Sequence, residues 1–320
     1  MTLRIVDHEV WSPRPRRATT GPDHNLSDLR AVVLLAGAVR PGKMLKQSGR
    51  SVLDLPVGAN RLVMDCWREQ WLTFAETLGI DLLSVRVLTS QGSCLEPKIE
   101  RYGRVEITIE QESKSVRGTA GLVSDVARDY EDSDQILVSH AGQLLFEPLT
   151  RLARGLAATN SDVAIAVEQQ GLPSGMMLVR CGAMRGICPV GYVDFNEQAL
   201  PELAKDHRVR AARFESATSM SVRTLAGYIG ALRAYHRRAS GGTDAKDGAF
   251  AEGWRPTFGI AEPGSSVASG AVLHDAVALR GSRVESGAVL VRSVVCAGAV
   301  VPAGAHVVDQ VVGTDRPGVS

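Results

Sequence analysis

The chain has 320 residues, of which 44% are hydrophobic and 22% charged, and its formal net charge is +1. This is the composition of an ordinary globular protein, and the length allows one large domain and a smaller one. A net charge so close to zero gives no electrostatic reason to expect a nucleic-acid or membrane-surface partner.

The cysteines and the N-terminal residues predict a reducing, cytoplasmic location. The five cysteines include no C-x-x-C pair, which argues against a structural zinc site and a disulfide framework. Residues 1–30 are polar and contain several prolines but no apolar segment typical of a secretory signal. No apolar run reaches transmembrane length. We therefore expect a cytoplasmic protein with an N-terminal extension over residues 1–30.

An apolar run that ends in glycine, residues 31–37, predicts a buried parallel strand that enters a loop. Further strands are predicted at residues 82–88, 105–109, 135–138, 162–167 and 176–179. Helical patterns lie between them, at residues 61–78, 121–130, 147–157 and 196–205, and a last helix is predicted at 224–238. Strand–helix alternation of this kind indicates an α/β domain with a mostly parallel sheet over residues 31–238.

A six-residue repeat follows a predicted linker, residues 239–259, which is rich in Gly, Ser and Asp. Its pattern is aliphatic-x-x-Gly-Ala, and the clearest units are residues 267–272, 284–289, 295–300 and 301–306, with a related unit at 278–283. This period is typical of a parallel β-helix, in which aliphatic side chains fill a narrow core. We expect around three coils of about 18 residues over residues 260–313, then a tail at 314–320. So short a solenoid predicts oligomerisation through its open end and faces.

The segment Gly118-Thr119-Ala120-Gly121 follows an alternating strand and precedes a helical pattern. Two glycines at such a strand-to-helix turn let the backbone approach a planar base, since no side chain stands in the way. The alternative interpretation is an ordinary βα turn without a ligand.

Four segments together resemble the sugar-1-phosphate nucleotidyltransferases, also called NDP-sugar pyrophosphorylases. Residues 33–37 look like the opening V-I-L-A-G strand of that family, and residues 50–65 are similar to its K-P…I-D stretch. Glu112 with Gly118–Gly121 resembles the E…L-G-T-A-G nucleobase segment, and residues 223–231 resemble G-T-P-x-x-Y-L-x-A. The resemblance covers residues 31–313 and implies a Rossmann-like nucleotidyltransferase domain followed by a left-handed β-helix.

The resemblance also implies which residues would contact a nucleotide. They are Leu35, Ala36, Gly37, Lys43, Glu112, Gly118, Thr119, Ala120 and Gly121. The glycine-rich phosphate loop of the family is replaced here by residues 38–43, which keep basic groups. Arg40 matches the arginine of that loop, and Arg50 occupies the place of the catalytic lysine, so these two residues are the catalytic candidates. An arginine keeps the charge of a lysine but not its compact geometry.

The two aspartates that hold Mg²⁺ in the family are absent. The first is replaced by Gln143, or by Ala141 if the gap lies elsewhere, and the second by Ser221. Mg²⁺ is a hard cation held by carboxylates and phosphate oxygens, so we predict no protein metal site, and Mg²⁺ is expected only if the chain is catalytically active. No E-K-P follows Val179, so the sugar-phosphate side is depleted as well.

Two other groups of residues suggest different chemistry. His140 and Glu147 lie near the expected active-site edge and are candidates for an alternative acid/base or metal pair. Hexapeptide repeats also occur in acyltransferases that use a histidine between coils, and His274 and His306 are available for that role.

The leading hypothesis is a nucleotidyltransferase-like protein of sugar-nucleotide metabolism that has lost metal-dependent catalysis. It would bind a nucleotide or NDP-sugar in a regulatory or scaffolding role, as a homo-oligomer or with a partner subunit. The alternatives are an active transferase with a rearranged site, in which Arg40, Lys43 and Arg50 carry the phosphate charge, and a structural assembly protein with an empty pocket.

Overall fold

The computed structural model describes residues 26–37, 42–89, 93, 95–111, 117–168, 171–188, 191–239 and 257–314. Most of the predicted N-terminal extension, the predicted linker and the tail lie outside these residues, as do Arg40 and Glu112 of the predicted site. Within the described ranges, no helix is both long enough and apolar enough to cross a membrane.

Residues 26–239 form an α/β region. Its strands are β1 (Leu29–Leu35), β2 (Pro56–Gly58), β3 (Arg61–Leu62), β4 (Leu83–Thr89), β5 (Lys98–Tyr102), β6 (Val105–Gln111), β7 (Gln135–His140), β8 (Gln143–Leu145), β9 (Val163–Glu168), β10 (Pro173–Arg180), β11 (Val209–Phe214) and β12 (Ser219–Ser221). Its helices are α1 (Lys43–Ser48), α2 (Val63–Leu78), α3 (Gly118–Ala127), α4 (Leu149–Ala157), α5 (Cys181–Met184), α6 (Leu200–Asp206) and α7 (Leu225–Ala239). A 3₁₀ turn spans Val52–Asp54, and a π-helical turn spans Phe195–Ala199.

Eight of these strands form one sheet in the order β11-β9-β10-β7-β1-β4-β6-β5. The pairs that involve β10 and the β5–β6 pair are antiparallel, and the others are parallel. The predicted α/β class with a mostly parallel sheet is therefore confirmed. The strands β5 and β11 were missed because both lie at sheet edges, where exposed charged residues interrupt the apolar pattern.

The central strand β1 is apolar because both of its faces are covered. Val32 and Leu34 belong to the cluster that contains the stacked rings of Trp67 and Trp71, on the side of α2, α4 and α7. Val33 and Leu35 belong to the cluster on the side of α3, α5 and α6. A helix layer on each face is what a continuous apolar strand predicts.

Residues 259–312, the C-terminal strand stack, form three short parallel sheets. The strands are β13 (Gly259–Ala261), β14 (Ser266–Val267), β15 (Val272–His274), β16 (Ala276–Ala278), β17 (Arg283–Val284), β18 (Val289–Val291), β19 (Val294–Val295), β20 (Val300–Val301), β21 (His306–Val308) and β22 (Val311–Val312). The sheets are β13-β16-β19-β22, β14-β17-β20 and β15-β18-β21. Stacked parallel strands on three faces are compatible with the predicted β-helix.

The repeat of the stack is 17 residues, so the expected 18 was wrong. Each strand pairs with the strand 17 residues further on, as Val272 does with Val289. Two corners carry a glycine with positive φ, whereas the third uses Asp275, Arg292 and Asp309 with φ of 46–53°. The step from Gly270 to Asp275 is five residues and the other two steps are six, which shortens each coil by one residue.

The strand stack packs directly on the α/β region. Arg233 of α7 donates from Nε to Oδ2 of Asp275 at 2.5 Å. The ring of His236, also in α7, stacks on Phe258 with centroids 5.4 Å apart. These contacts connect α7 to the first coil of the stack.

Candidate functional site

The carboxyl ends of β1, β4 and β7 meet at one edge of the sheet. The amides of Ala36 and Gly37 donate to the carbonyl oxygen of Leu88, at 2.8 and 3.0 Å. The amide of Ala141 donates to the carbonyl oxygen of Leu35 at 3.0 Å. The predicted nucleotide residues Leu35, Ala36 and Gly37 therefore lie at the sheet edge where ligands bind in open α/β folds.

The two positions that the sequence resemblance aligns with metal-binding aspartates lie next to each other. Gln143 and Ser221 are direct partners in the antiparallel pairing of β8 with β12. The Gln143 amide is buried and committed to the protein, because its Nε2 donates to Ser139 Oγ at 2.7 Å and its Oε1 accepts from Ser219 Oγ at 2.8 Å. Ala141 is buried and offers no side-chain ligand.

These residues do not fit Mg²⁺. The side-chain oxygens at this pairing are neutral, whereas Mg²⁺ prefers carboxylate and phosphate oxygens. The chain also places a cation, Arg223, two residues after Ser221. Within the described ranges, no cluster of three or more His, Cys, Asp or Glu side chains that could hold a metal ion is present.

His140, the last residue of β7, and Glu147 have separate neighbours. A Cβ atom added to Gly175 would lie 2.9 Å from Cδ2 of the His140 ring, so the ring packs on the backbone of that glycine. Glu147 instead accepts hydrogen bonds from Arg151 Nη1 at 2.7 Å and Ser216 Oγ at 2.8 Å. The Glu147 carboxylate is therefore held by Arg151 and Ser216, and it does not pair with the His140 imidazole as the predicted acid/base or metal pair would require.

Burial lowers the pKa of the His140 imidazole below its usual value of about 6.5. The nearby Arg223 guanidinium lowers this pKa further, and the Asp194 carboxylate opposes both effects. The imidazole is thus mainly neutral at pH 7, and in that form it can both donate and accept a hydrogen bond.

The Gly118–Gly121 loop forms the first turn of α3, which begins three residues earlier than predicted. Gly118 has φ of 70°, and a Cβ atom there would lie 2.5 Å from the carbonyl oxygen of Val193. The Ala120 amide donates to the same oxygen at 3.1 Å, and Thr119 Oγ1 accepts from the amide of Phe195 at 3.0 Å. The space that Gly118 leaves by lacking a Cβ atom is therefore filled by residues 191–195 of the same chain.

Arg117 holds this arrangement in place, a role that no motif in the sequence indicates. Its buried guanidinium makes two hydrogen bonds to Asp125, at 2.8 and 2.9 Å, and donates to the carbonyl oxygens of Cys188 and Gly191. A Cβ atom on Gly121 would lie 3.1–3.4 Å from atoms of the Arg117 side chain. No local pattern could have shown this, because the carbonyl partners lie more than 70 residues away.

Arg50, one of the two catalytic candidates, forms an ion pair with the strand stack. Its Nη1 and Nη2 atoms contact Oε1 and Oε2 of Glu262, both at 2.7 Å, and Nη1 also donates to the carbonyl oxygen of Asp54. Lys43 is the exposed first residue of α1. A catalytic role for Arg50 stays a prediction. The ion pair with Glu262 is a structural reason for a guanidinium at this position.

The two histidines of the stack occupy different levels. His274 pairs with Val291 in the sheet β15-β18-β21, whereas His306 pairs with Val289. His274 Nε2 lies 4.0 Å from Oδ2 of the buried Asp275. The pairing does not place the two imidazoles opposite each other.

No protein-family model and no curated protein matches the sequence. Among solved structures, the chain is similar to HddC from Yersinia pseudotuberculosis, with 14% identity, a TM-score of 0.46, and coverage of 64% of this chain and 99% of that one. It is also similar to HddC from the same organism complexed with GMP-PN, with 13% identity, a TM-score of 0.44 and the same coverage.

Proposed function

We propose that this chain is a nucleotidyltransferase-like protein that binds a nucleotide or NDP-sugar at the carboxyl edge of β1, with metal-dependent catalysis lost. Its role would be regulatory or scaffolding. The stack is proposed to be a left-handed parallel β-helix that mediates assembly with a second copy or a partner subunit. A cytoplasmic location and the boundaries 31–238 and 260–313 belong to the same proposal.

The observation that carries this proposal is the meeting of distant segments at one edge. Gly42, just before α1, lies close to the backbone of Arg223. A Cβ atom added to Gly42 would lie 3.2 Å from the carbonyl oxygen of Arg223. The amide of Val222 donates to the carbonyl oxygen of Gly142 at 2.9 Å. Ala120 packs in the same cluster as Leu35 and Leu88. Segments that resemble one family in sequence order thus share one region of space.

The proposed loss of catalysis is supported by the paired positions of Gln143 and Ser221. Phosphoryl and nucleotidyl transfer bring several negative charges together, and catalysis depends on neutralising them. The neutral side chains at this pairing neither bind a divalent cation strongly nor carry charge. Binding can persist without that chemistry, because affinity and transition-state stabilisation are separate contributions.

Isothermal titration with a panel of nucleoside triphosphates and NDP-sugars tests binding by the full chain. We expect heat with at least one member, and no heat with any of them would contradict the proposal. Hydrogen exchange then locates the ligand, with slower exchange expected in residues 35–37, 118–123 and 140–143. The strand stack at residues 283–312 is the internal control and should not change.

Pyrophosphate release with Mg²⁺, across a set of sugar 1-phosphates, tests the loss of catalysis. We expect no turnover above a reaction without protein. Turnover that disappears in Arg50→Ala would instead support an active transferase with a rearranged site. An assembled protein without any nucleotide response would support the purely structural alternative.

A further inference from the structure

We propose that Arg223 and His140 form a binding site for a phosphate group that requires no divalent cation. The inference rests on the proposed function, since it assigns the part of a nucleotide or sugar nucleotide that this edge would contact. Its chemistry is that of a guanidinium and a neutral imidazole acting on an oxyanion.

The stem of Arg223 has a defined path across the turn between β7 and β8. A Cβ atom on Gly142 would lie 2.6 Å from Cγ and 3.0 Å from Cδ of Arg223, so only glycine leaves room for this stem. The hydrogen bond from the Val222 amide to the Gly142 carbonyl oxygen fixes the backbone on which the side chain starts. The arginine is thus directed by packing before any ligand arrives.

Arg223 is an exposed residue, and its guanidinium forms no ion pair with a carboxylate of the residues that the structure describes. By contrast, the packed guanidinium groups of Arg117 and Arg50 are neutralised by Asp125 and Glu262. A guanidinium presents a planar fork of N–H donors that matches two phosphate oxygens. An unneutralised fork at the carboxyl edge of a parallel sheet therefore favours an anionic ligand.

His140 supplies the second donor. Its ring packs on Gly175 and lies close enough to Arg223 for the guanidinium to act on the imidazole, and no hydrogen bond joins either ring nitrogen to a described residue. The nearby carboxylate is Asp194, and Lys43 begins α1 directly after the contact of Gly42 with Arg223. An unneutralised guanidinium beside an uncharged imidazole favours a phosphate over a metal ion.

Titration calorimetry with inorganic pyrophosphate, in EDTA and separately in Mg²⁺, tests the site in the full chain. We expect binding in EDTA that weakens at least about tenfold in Arg223→Gln, because a charge-assisted pair is lost. Arg223→Lys should fall between the two, since it keeps the charge but loses the fork. Arg210→Gln, on the far edge strand β11, is the matched control and should bind like the wild type.

Gly142→Ala tests the same site without removing a charge. The added methyl group displaces the Arg223 stem, so we expect a loss similar to that of Arg223→Gln. Gly186→Ala is its control, because a Cβ atom there meets nothing within 4 Å. Circular dichroism shows whether each variant is folded. If Gly142→Ala does not fold, the test of the site rests on Arg223→Gln, which alters an exposed side chain.

The outcomes separate the two proposals. Nucleotide binding that is equal in wild type and Arg223→Gln overturns the phosphate site and leaves the proposed function standing. Pyrophosphate binding that depends on Arg223, in a protein that binds no nucleotide, supports the site and contradicts the proposed function. The proposed site is overturned if pyrophosphate binds only with Mg²⁺, or if neither pyrophosphate nor a nucleotide binds.

Discussion

Gly118 and Gly121 are glycines for reasons that concern the protein itself. Gly118 adopts a left-handed backbone beneath the backbone of Val193, and Gly121 leaves room for the buried side chain of Arg117. The prediction that these glycines admit a nucleobase remains a prediction. At the scale of single residues, the loop motif is explained by how tightly α3 packs on residues 191–195.

Gly118→Ala should be more destabilising than the same change at Gly79, which has nearly the same φ, 66° against 70°. Nothing lies within 4 Å of a Cβ atom at Gly79, so Gly79→Ala measures only the backbone cost, about 1–2 kcal/mol. Gly118→Ala must also move the Val193 backbone, which we expect to add at least about 2 kcal/mol. Urea unfolding of both variants checks this, and equal losses would show that residues 191–195 yield without cost.

His140 should make stability depend on pH. Its folded pKa lies below the unfolded value of about 6.5, so the unfolded state binds more protons between the two values. Stability is therefore complete above pH 6.5 and is lost as the pH falls from there towards the folded pKa. Arg223 and Asp194 are the charged groups acting on this imidazole.

The measurement is urea unfolding at pH 7.5 and pH 5.5 in a buffer without phosphate. We expect the unfolding free energy of the wild type to fall more than that of His140→Gln, which removes the titrating group. Carboxylates common to both proteins cancel in this comparison. Identical pH dependence in the two proteins would contradict the assignment.

At the scale of elements, the corners of the strand stack differ in how they hold a left-handed residue. Glycine adopts positive φ without steric cost, and two corners use it. At the third, Asp275 is stabilised by its side chain, whose Oδ1 accepts from the amides of Thr257 and Phe258 at 2.7 and 3.2 Å. Asp309, two coils later, is exposed and pairs with Arg292. The first coil is therefore held by buried hydrogen bonds and the last by a surface pair.

Asp275→Ala should cost about 2–4 kcal/mol, because it leaves the Thr257 and Phe258 amides and Arg233 without their acceptor. Asp309→Ala, at the equivalent corner, is the control and should cost less than about 1 kcal/mol. Thermal unfolding of the two variants provides the measurement. A similar cost at both corners would mean that the αL backbone, and not the hydrogen bonds, sets the effect.

Arg50 joins the α/β region to the strand stack. Glu262, its partner, is buried and also accepts from the amide of Arg280 at 2.7 Å. Gln47 of α1 lies against Gly313 at the other end of the same stack. The segment that follows β1 is thus held by the strand stack as well as by the sheet.

A double-mutant cycle of Arg50→Ala and Glu262→Ala should show a coupling energy of about 1–3 kcal/mol, since the pair is largely removed from water. The control cycle is Arg292→Ala with Asp309→Ala, a pair of the same two-bond geometry on the surface. Its coupling should stay below about 1 kcal/mol. Coupling energies that are equal in both cycles would show that Arg50 does not fasten the two regions.

Local patterns in the sequence predict the fold class and the order of its main strands and helices. Strand β1 was predictable because both faces are buried, and the stack because its small and aliphatic residues recur at short intervals. These are local properties, set by the spacing of apolar residues along the chain. The strands at sheet edges were not predictable, because exposed charged residues interrupt their apolar pattern. The 17-residue spacing is present in the starts of the repeat units at residues 267, 284 and 301, but three regular hexapeptides predict 18 because the corner without glycine is one residue shorter.

The contacts of each candidate residue became known from the folded chain. It paired Gln143 with Ser221, placed Arg223 across Gly142 near His140, turned Arg50 towards Glu262, and set residues 191–195 on Gly118. These partners are separated by about 70 to more than 200 residues. Contacts of that range depend on how strands and helices are ordered in space, which the spacing of residues along a chain does not specify.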